Sequence, residues 1–234
     1  VHVWRVFIPE APIADLALTL SVDERARAAR FAYEKDRNQF IAIRGWLRIL
    51  LGTYLHRPPA EIRFQYGAQG KPLLADSEKD PDLHFNVSHS AALGALAFCR
   101  GREIGVDVEL MERRFDILDL ARSCFSSGEQ ESLLNCPEDE NLERFFQLWT
   151  SKEAYIKALG GGLSIPLQDF SVGVRSDSDN WSVVASGAKV PDNADAPLMV
   201  RRLTVPESYA GAVAATGNDW SVQTHDVTSD HLQM

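Results

Sequence analysis

Apolar and polar residues alternate from Val1 to Ile8, the period of a half-buried strand, and Pro9 and Pro12 close the run. From Val22 the period becomes helical, with Ser21 followed three residues on by Glu24, the spacing of a capping box. Phe40, Ile43, Leu47, Leu50, Leu51 and Tyr54 recur at helical spacing and predict a long core helix ended by Pro58 and Pro59. Short strands are expected at 61–66, 83–87 and 93–98.

From Ile104 the pattern begins again. A strand is expected at 104–110, helices at 117–134 and 141–159, and strands at 170–174, 181–185, 200–205 and 211–215, with a polar, loosely held tail after Trp220. Each half thus has a long helix ending near glycine or proline, a strand just after it, and later a Gly-Ala-aliphatic-Ala strand, Gly94 to Ala97 and Gly211 to Ala214. The expected fold is α+β: two similar α/β subdomains related by pseudo-two-fold symmetry, at 1–103 and 104–218, followed by a tail at 219–234. A cleft between the copies is the expected place for a small-molecule site.

Composition narrows the function classes. With 234 residues, 45% of them hydrophobic and 24% charged, the chain has enough core to fold without metals or disulfides. A net charge of −9 argues against nucleic acid as a partner. Its longest apolar stretch, 91–99, is about half of what a membrane-spanning helix needs, and the N-terminus lacks a signal-peptide layout, so a cytoplasmic protein with no membrane partner is expected. Cys99, Cys124 and Cys136 are widely spaced and read as reduced thiols rather than a disulfide or zinc framework. Against the acidic background, 25–48 is basic, with Arg25, Arg27, Arg30, Lys35, Arg37, Arg44 and Arg48; a local anion site and a solvated helix face both account for it.

Three clusters could carry chemistry. In the 104–110 strand Asp107 and Glu109 share the face opposite Ile104, Val106, Val108 and Leu110. Two adjacent carboxylates suit magnesium, which uses one or two of them plus substrate phosphates; a solvated strand face is the other reading. Glu153 and Lys157 lie one turn apart on a helix, either in a site or as a surface ion pair, and the Gly160-Gly161-Gly162 run that follows exceeds what a helix cap requires. Ser88 and His89, with Gly70-Lys71-Pro72 upstream, fit hydrogen bonding of a ligand phosphate, or a structural turn with a buried histidine.

Together these residues resemble a known family. Ile104-Gly105-Val106-Asp107-Val108-Glu109, followed by Trp149-Thr150-Ser151-Lys152-Glu153-Ala154 with Lys157, Gly160, Gly162 and Leu163, resembles the paired signature of the 4′-phosphopantetheinyl transferase superfamily. Phe125-Ser126 with Glu129, Gly70-Lys71-Pro72 and Phe85-Asn86-Val87-Ser88-His89-Ser90 resemble its Sfp-type branch, whose single chain contains both halves.

The resemblance implies transfer of the 4′-phosphopantetheine of coenzyme A to a serine of an acyl, aryl or peptidyl carrier protein, with release of 3′,5′-ADP. It implies Asp107, Glu109 and Glu153 as ligands of magnesium, or of manganese in its place, and Lys157 beside the coenzyme A pyrophosphate. Lys71, Ser88 and His89 would meet the coenzyme A phosphates, with Arg27 at the 3′-phosphate. Arg44 is added from the basic helix. Glu153 is the candidate base and Lys157 the group that neutralises developing charge. Arg113, Arg114 and Phe115 read either as part of the carrier-docking surface or as an ordinary basic loop, and a monomer is expected because both halves lie in one chain. Where relatives carry further basic residues ahead of Arg27, this chain has Asp23 and Glu24. A non-catalytic binding module and a magnesium-dependent phosphodiesterase that cuts pantetheine from carriers are the competing functions.

Overall fold

The computed structural model describes residues 1–66, 72–75, 82–112, 116–160, 166–172 and 198–233. The first unit begins with strand β1 (His2–Phe7), two short helices, α1 (Ile13–Thr19) and α2 (Val22–Ala28), and the long helix α3 (Glu34–Leu55). A small hairpin, β2 (Phe64–Tyr66) and β3 (Pro72–Leu74), is followed by a larger one, β4 (Leu83–Ser90) and β5 (Leu93–Arg100). The second unit has β6 (Ile104–Leu110), α4 (Ile117–Cys124), α5 (Ser127–Leu134), the long helix α6 (Asn141–Leu159), and the hairpin β7 (Leu198–Arg202) and β8 (Tyr209–Thr216).

The two units share one topology. Their sheets have strand orders β4-β5-β1 and β7-β8-β6, all neighbours antiparallel, so in each the last strand of the hairpin lies beside the first strand of the unit. Gly94 to Ala97 and Gly211 to Ala214 occupy the equivalent central strands β5 and β8. This is the duplicated α+β architecture that the repeated pattern predicts.

Side-chain alternation stacks the units in four layers. In β5, Leu96 and Phe98 pack under α3 with Trp46 and Leu50, while Leu93, Ala95 and Ala97 face the other way. In β8, Ala212 and Ala214 pack under α6 with Phe145 and Tyr155, while Val213 and Ala215 face the other way. The inward faces meet, with Val3, Ile104, Val106 and Val108, in a third apolar cluster between the sheets. The order is therefore helix, sheet, sheet, helix, with apolar burial at every junction.

Several expectations change. The 117–134 helix is two helices, because Ser126 and Glu129 form a second capping box and start α5 afresh. Residues 61–66 contribute a strand only from Phe64, after a turn of 3-10 helix at Pro59–Glu61. A 3-10 turn at Leu167–Asp169 precedes extended backbone at 170–172, where the Val172 N–H donates to the Glu129 carboxylate at 2.7 Å; the rest of the strand expected at 170–174 lies outside the described residues. The tail is fixed: β9 (Gln223–Asp226) pairs parallel with β1, and Asp226 takes two hydrogen bonds from Arg5 at 2.7 and 2.9 Å. The strand expected at 181–185 lies outside the described residues. Cys99, Cys124 and Cys136 are free and half-buried, and burial pushes the Cys99 thiol up to about 11. No described helix is long and apolar enough to cross a membrane.

Candidate active site

A cavity of about 690 Å³ opens where the units meet, between α3 and β4 on one side and β6 and α6 on the other. Arg27, Arg44, Ser88, His89, Asp107, Glu109, Glu153 and Lys157 all line it. Lys71 and the expected docking residues Arg113, Arg114 and Phe115 lie outside the described residues.

Close approach of α6 to β6 brings the carboxylates together. A Cβ at Gly105 would overlap the Ala154 carbonyl oxygen and the Ala158 nitrogen, so only glycine lets the helix backbone rest on the strand there. Asp107 and Glu109 share Gly105's face of β6. On α6, Trp149, Glu153 and Lys157 are spaced four apart and line the cavity together. Gly160 ends the helix in the left-handed region at φ 68°, and Gly161 and Gly162 lie outside the described residues.

Asp107 is not on a solvated face: it is 3% exposed. Its Oδ1 accepts from Lys157 Nζ at 2.6 Å and from Ser88 Oγ at 2.8 Å. Its Oδ2 is buried with no hydrogen-bond partner among the described residues. Burial raises the Asp107 pKa against the pull of Lys157. Burial also raises Glu109, opposed by the hydrogen bond from Ser90, and Glu153, where the Asp107 charge adds to the effect. One lysine among three carboxylates, and an orphaned buried carboxylate oxygen, fit a divalent cation. The described acidic side chains do not close on one point as a ready-made cage, and an ion held largely by substrate phosphates and water needs none.

The basic helix divides by role. Arg48 is fully buried, bonding Glu24 at 2.6 Å and the carbonyls of Pro59 and Ile62 at 2.8 and 2.9 Å. Glu24, buried at 1% exposure, also closes the α2 capping box and pairs with Arg44 at 3.4 Å. The acidic residue that departs from the family pattern is thus an internal anchor for two arginines. Arg44 lies among the rings of Phe64, Tyr66 and Phe40 at 4.7, 5.7 and 5.9 Å, with Nη1 buried and unpartnered among the described residues. Arg27 is exposed over Phe40 at 5.1 Å.

His89 is exposed at the cavity wall, and its Nδ1 lies 2.8 Å from Gln39 Nε2. Protein packed against the ring, and then the Lys157 ammonium, lower its pKa, so it is neutral at pH 7. With the Gln39 amide donating to Nδ1, the ring presents Nε2–H as a donor. Gln39, Phe31 and Phe40 are site residues that the sequence reading passed over as sites; Phe40, four residues before Arg44 on α3, carries the one periodic signal among them.

Lys152, next to Glu153, points the other way. It is 0% exposed, pairs with Glu129, donates to the Phe170 carbonyl at 2.6 Å and lies 4.4 Å from the Phe170 ring. One turn of α6 therefore holds an internal cation on its core side and an acid on its cavity side.

Comparison with known proteins identifies the family. The signature described as the 4′-phosphopantetheinyl transferase superfamily matches residues 103–210, and that described as 4′-phosphopantetheinyl transferase, N-terminal, matches 9–100. The 4′-phosphopantetheinyl transferase HetI of Nostoc sp. is 43% identical over 166 residues, covering 70% of each chain. The 4′-phosphopantetheinyl transferase Sfp of Bacillus subtilis is 31% identical over 213 residues, covering 91% of this chain and 89% of its own. The crystal structure of Thermotoga maritima holo-[acyl-carrier-protein] synthase aligns over 50% of this chain and 63% of its own, at 22% identity and a TM-score of 0.39. With both signatures present in order and Sfp matched over most of both lengths, the chain belongs to the 4′-phosphopantetheinyl transferase superfamily, in its Sfp-type branch.

Proposed function

We propose that the chain transfers the 4′-phosphopantetheine of coenzyme A to the serine of an acyl, aryl or peptidyl carrier domain, and does so with magnesium held by Asp107, Glu109 and Glu153. The observation that carries this is the inter-unit cavity, with carboxylates on its β6 and α6 wall and cationic or donor groups facing them from α3 and β4. A bound magnesium would supply Lewis-acid stabilisation of the pyrophosphate, and manganese would serve in its place.

The protein's own groups account for the rest. The acceptor hydroxyl comes from the carrier, so the chain needs no nucleophile. As the serine oxygen bonds to the β-phosphorus, the bond from that phosphorus to the departing 3′,5′-ADP breaks, and the serine proton passes to Glu153. Glu153 lines the cavity one helical turn from Lys157, which supports it as the group that takes the proton. Lys157, bonded to Asp107 in the free protein, turns to the phosphates and offsets charge on the leaving group. Neutral His89 and Lys71 donate to coenzyme A phosphates, and Ser88 joins them by turning its one hydroxyl hydrogen away from Asp107, while Arg27 and the unpartnered Nη1 of Arg44 offer positive charge on the α3 side. Both sides of the site come from one chain, which supports a monomer.

Product analysis tests the reaction. Apo carrier protein, coenzyme A and magnesium should yield 3′,5′-ADP and holo-carrier in equal amounts. Release of pantetheine from holo-carrier would instead show a hydrolase, and coenzyme A binding without either product would show a binding module.

A further inference from the structure

Asn86, Ser88 and Ser90 alternate along β4, an edge strand, and so turn the same way. Each accepts a backbone N–H of β6, itself an edge strand of the other sheet. Asn86 Oδ1 takes Val106 at 3.1 Å, Ser88 Oγ takes Val108 at 3.4 Å and Ser90 Oγ takes Leu110 at 3.1 Å. Side chains thus supply the ladder that joins the units where no backbone pairing does.

The two serines also donate. Ser88 Oγ gives its hydrogen to Asp107 Oδ1 at 2.8 Å, and Ser90 Oγ gives its hydrogen to Glu109 Oε2 at 2.7 Å. A serine hydroxyl has one hydrogen and two lone pairs. Accepting from the strand fixes the oxygen and aims the O–H at the carboxylate. The same relay is built twice, two residues apart, against the two strand carboxylates.

Ser88 is shared with Lys157, at 3.2 Å. Ser90 is the cleaner case, because among the described residues it is the one hydrogen-bond partner of Glu109. We propose that Ser90 is a positioning residue for the metal site: anchored by Leu110 N–H, it holds Oε2 of Glu109 and leaves Oε1 to face the cavity. This rests on the assignment of Glu109 to magnesium above. An outer hydrogen bond of this kind fixes a ligand's orientation, and its loss weakens metal binding by about 10- to 100-fold.

Ser90→Thr and Ser90→Val are nearly isosteric and differ in the hydroxyl. Manganese would be titrated into each full-length protein saturated with coenzyme A, with free ion followed by electron paramagnetic resonance. Coenzyme A affinity without metal and the melting temperature would be measured alongside. Ser90→Val should bind manganese about 10- to 100-fold more weakly than wild type, while Ser90→Thr stays near wild type and metal-free coenzyme A affinity is the same in all three. Equal manganese binding by Ser90→Val and wild type would overturn the proposal. So would loss of metal-free coenzyme A affinity, or failure to fold, confined to Ser90→Val, since the hydroxyl would then be a ligand contact or a stitch. If Ser90→Thr does not fold, Ser90→Ala against wild type gives the same comparison. A wild-type protein that binds no manganese with coenzyme A present would remove the metal assignment itself, and the role of Ser90 with it.

Discussion

Asp107, Glu109 and Glu153 hold their protons more tightly in the folded protein than in the unfolded chain, chiefly because burial penalises their charge. The folded state therefore binds more protons between the unfolded and folded pKa values. The stabilisation this gives is complete below the unfolded values and is lost as pH rises through the folded ones. Glu153→Gln removes one source of repulsion. It should raise the melting temperature of the metal-free protein at pH 8, with the gain fading towards pH 4, while lowering kcat by about 10²- to 10⁴-fold. Thermal melts across pH and turnover at saturating magnesium check both; wild-type turnover would remove Glu153 as the base. That Asp107 and Glu109 share a face was legible in the alternation of β6. That the face is buried was not, because α6, which covers it, lies far along the chain and nothing in one strand's pattern names its cover. Ser90 was quoted only as part of a motif, since its use depends on β4 meeting β6 edge to edge.

Among the elements, β6 and α6 have the bounds their periodicity predicts, because each has a continuous apolar face against a neighbour. Helix α1 was missed between two prolines and a capping box although Leu16 is buried, its seven residues being too short for a clear period. Strand β9, Gln-Thr-His-Asp, carries no apolar alternation because it is held by backbone pairing and Arg5 rather than by a core face. The contact between β6 and α6 is the most sensitive to change. Gly105→Ala should push α6 outward and, with displacements near 1 Å costing about 10²-fold, reduce kcat/KM by that order; an unchanged rate would mean the helix backbone yields freely. On the other side of α6, Lys152→Met strands Glu129 in the core and should cost about 3–5 kcal/mol in denaturant unfolding. With Glu129→Leu added, the double variant should lose less than the sum of the two single losses, although the α5 cap and the Val172 N–H lose their acceptor, whereas additive losses would contradict a direct pair.

For the whole molecule, duplication explains the location of the site. Each unit alone offers one wall; the cavity exists where α2, α3 and β4 of one meet β6 and α6 of the other. β9 caps the opposite edge of the first sheet, beside β1 and away from β4. Deleting residues 221–234 should expose the β1 edge, lower the melting temperature and promote aggregation, yet leave the KM for coenzyme A unchanged in the protein that remains folded. An unchanged melting temperature would contradict a structural role for the tail. The repeated pattern announced two similar units, but their back-to-back stacking was not legible, because an apolar strand face looks the same whether a helix or a second sheet covers it.

The central claim is that this chain moves phosphopantetheine through the cavity that Asp107 anchors. Its most direct test is the intact mass of an apo acyl-carrier protein incubated with the protein, coenzyme A and magnesium, beside an Asp107→Ala control. A gain of one phosphopantetheine unit with wild type, lost with Asp107→Ala, is the predicted result; no gain with any carrier type, or an equal gain with the variant, would contradict it.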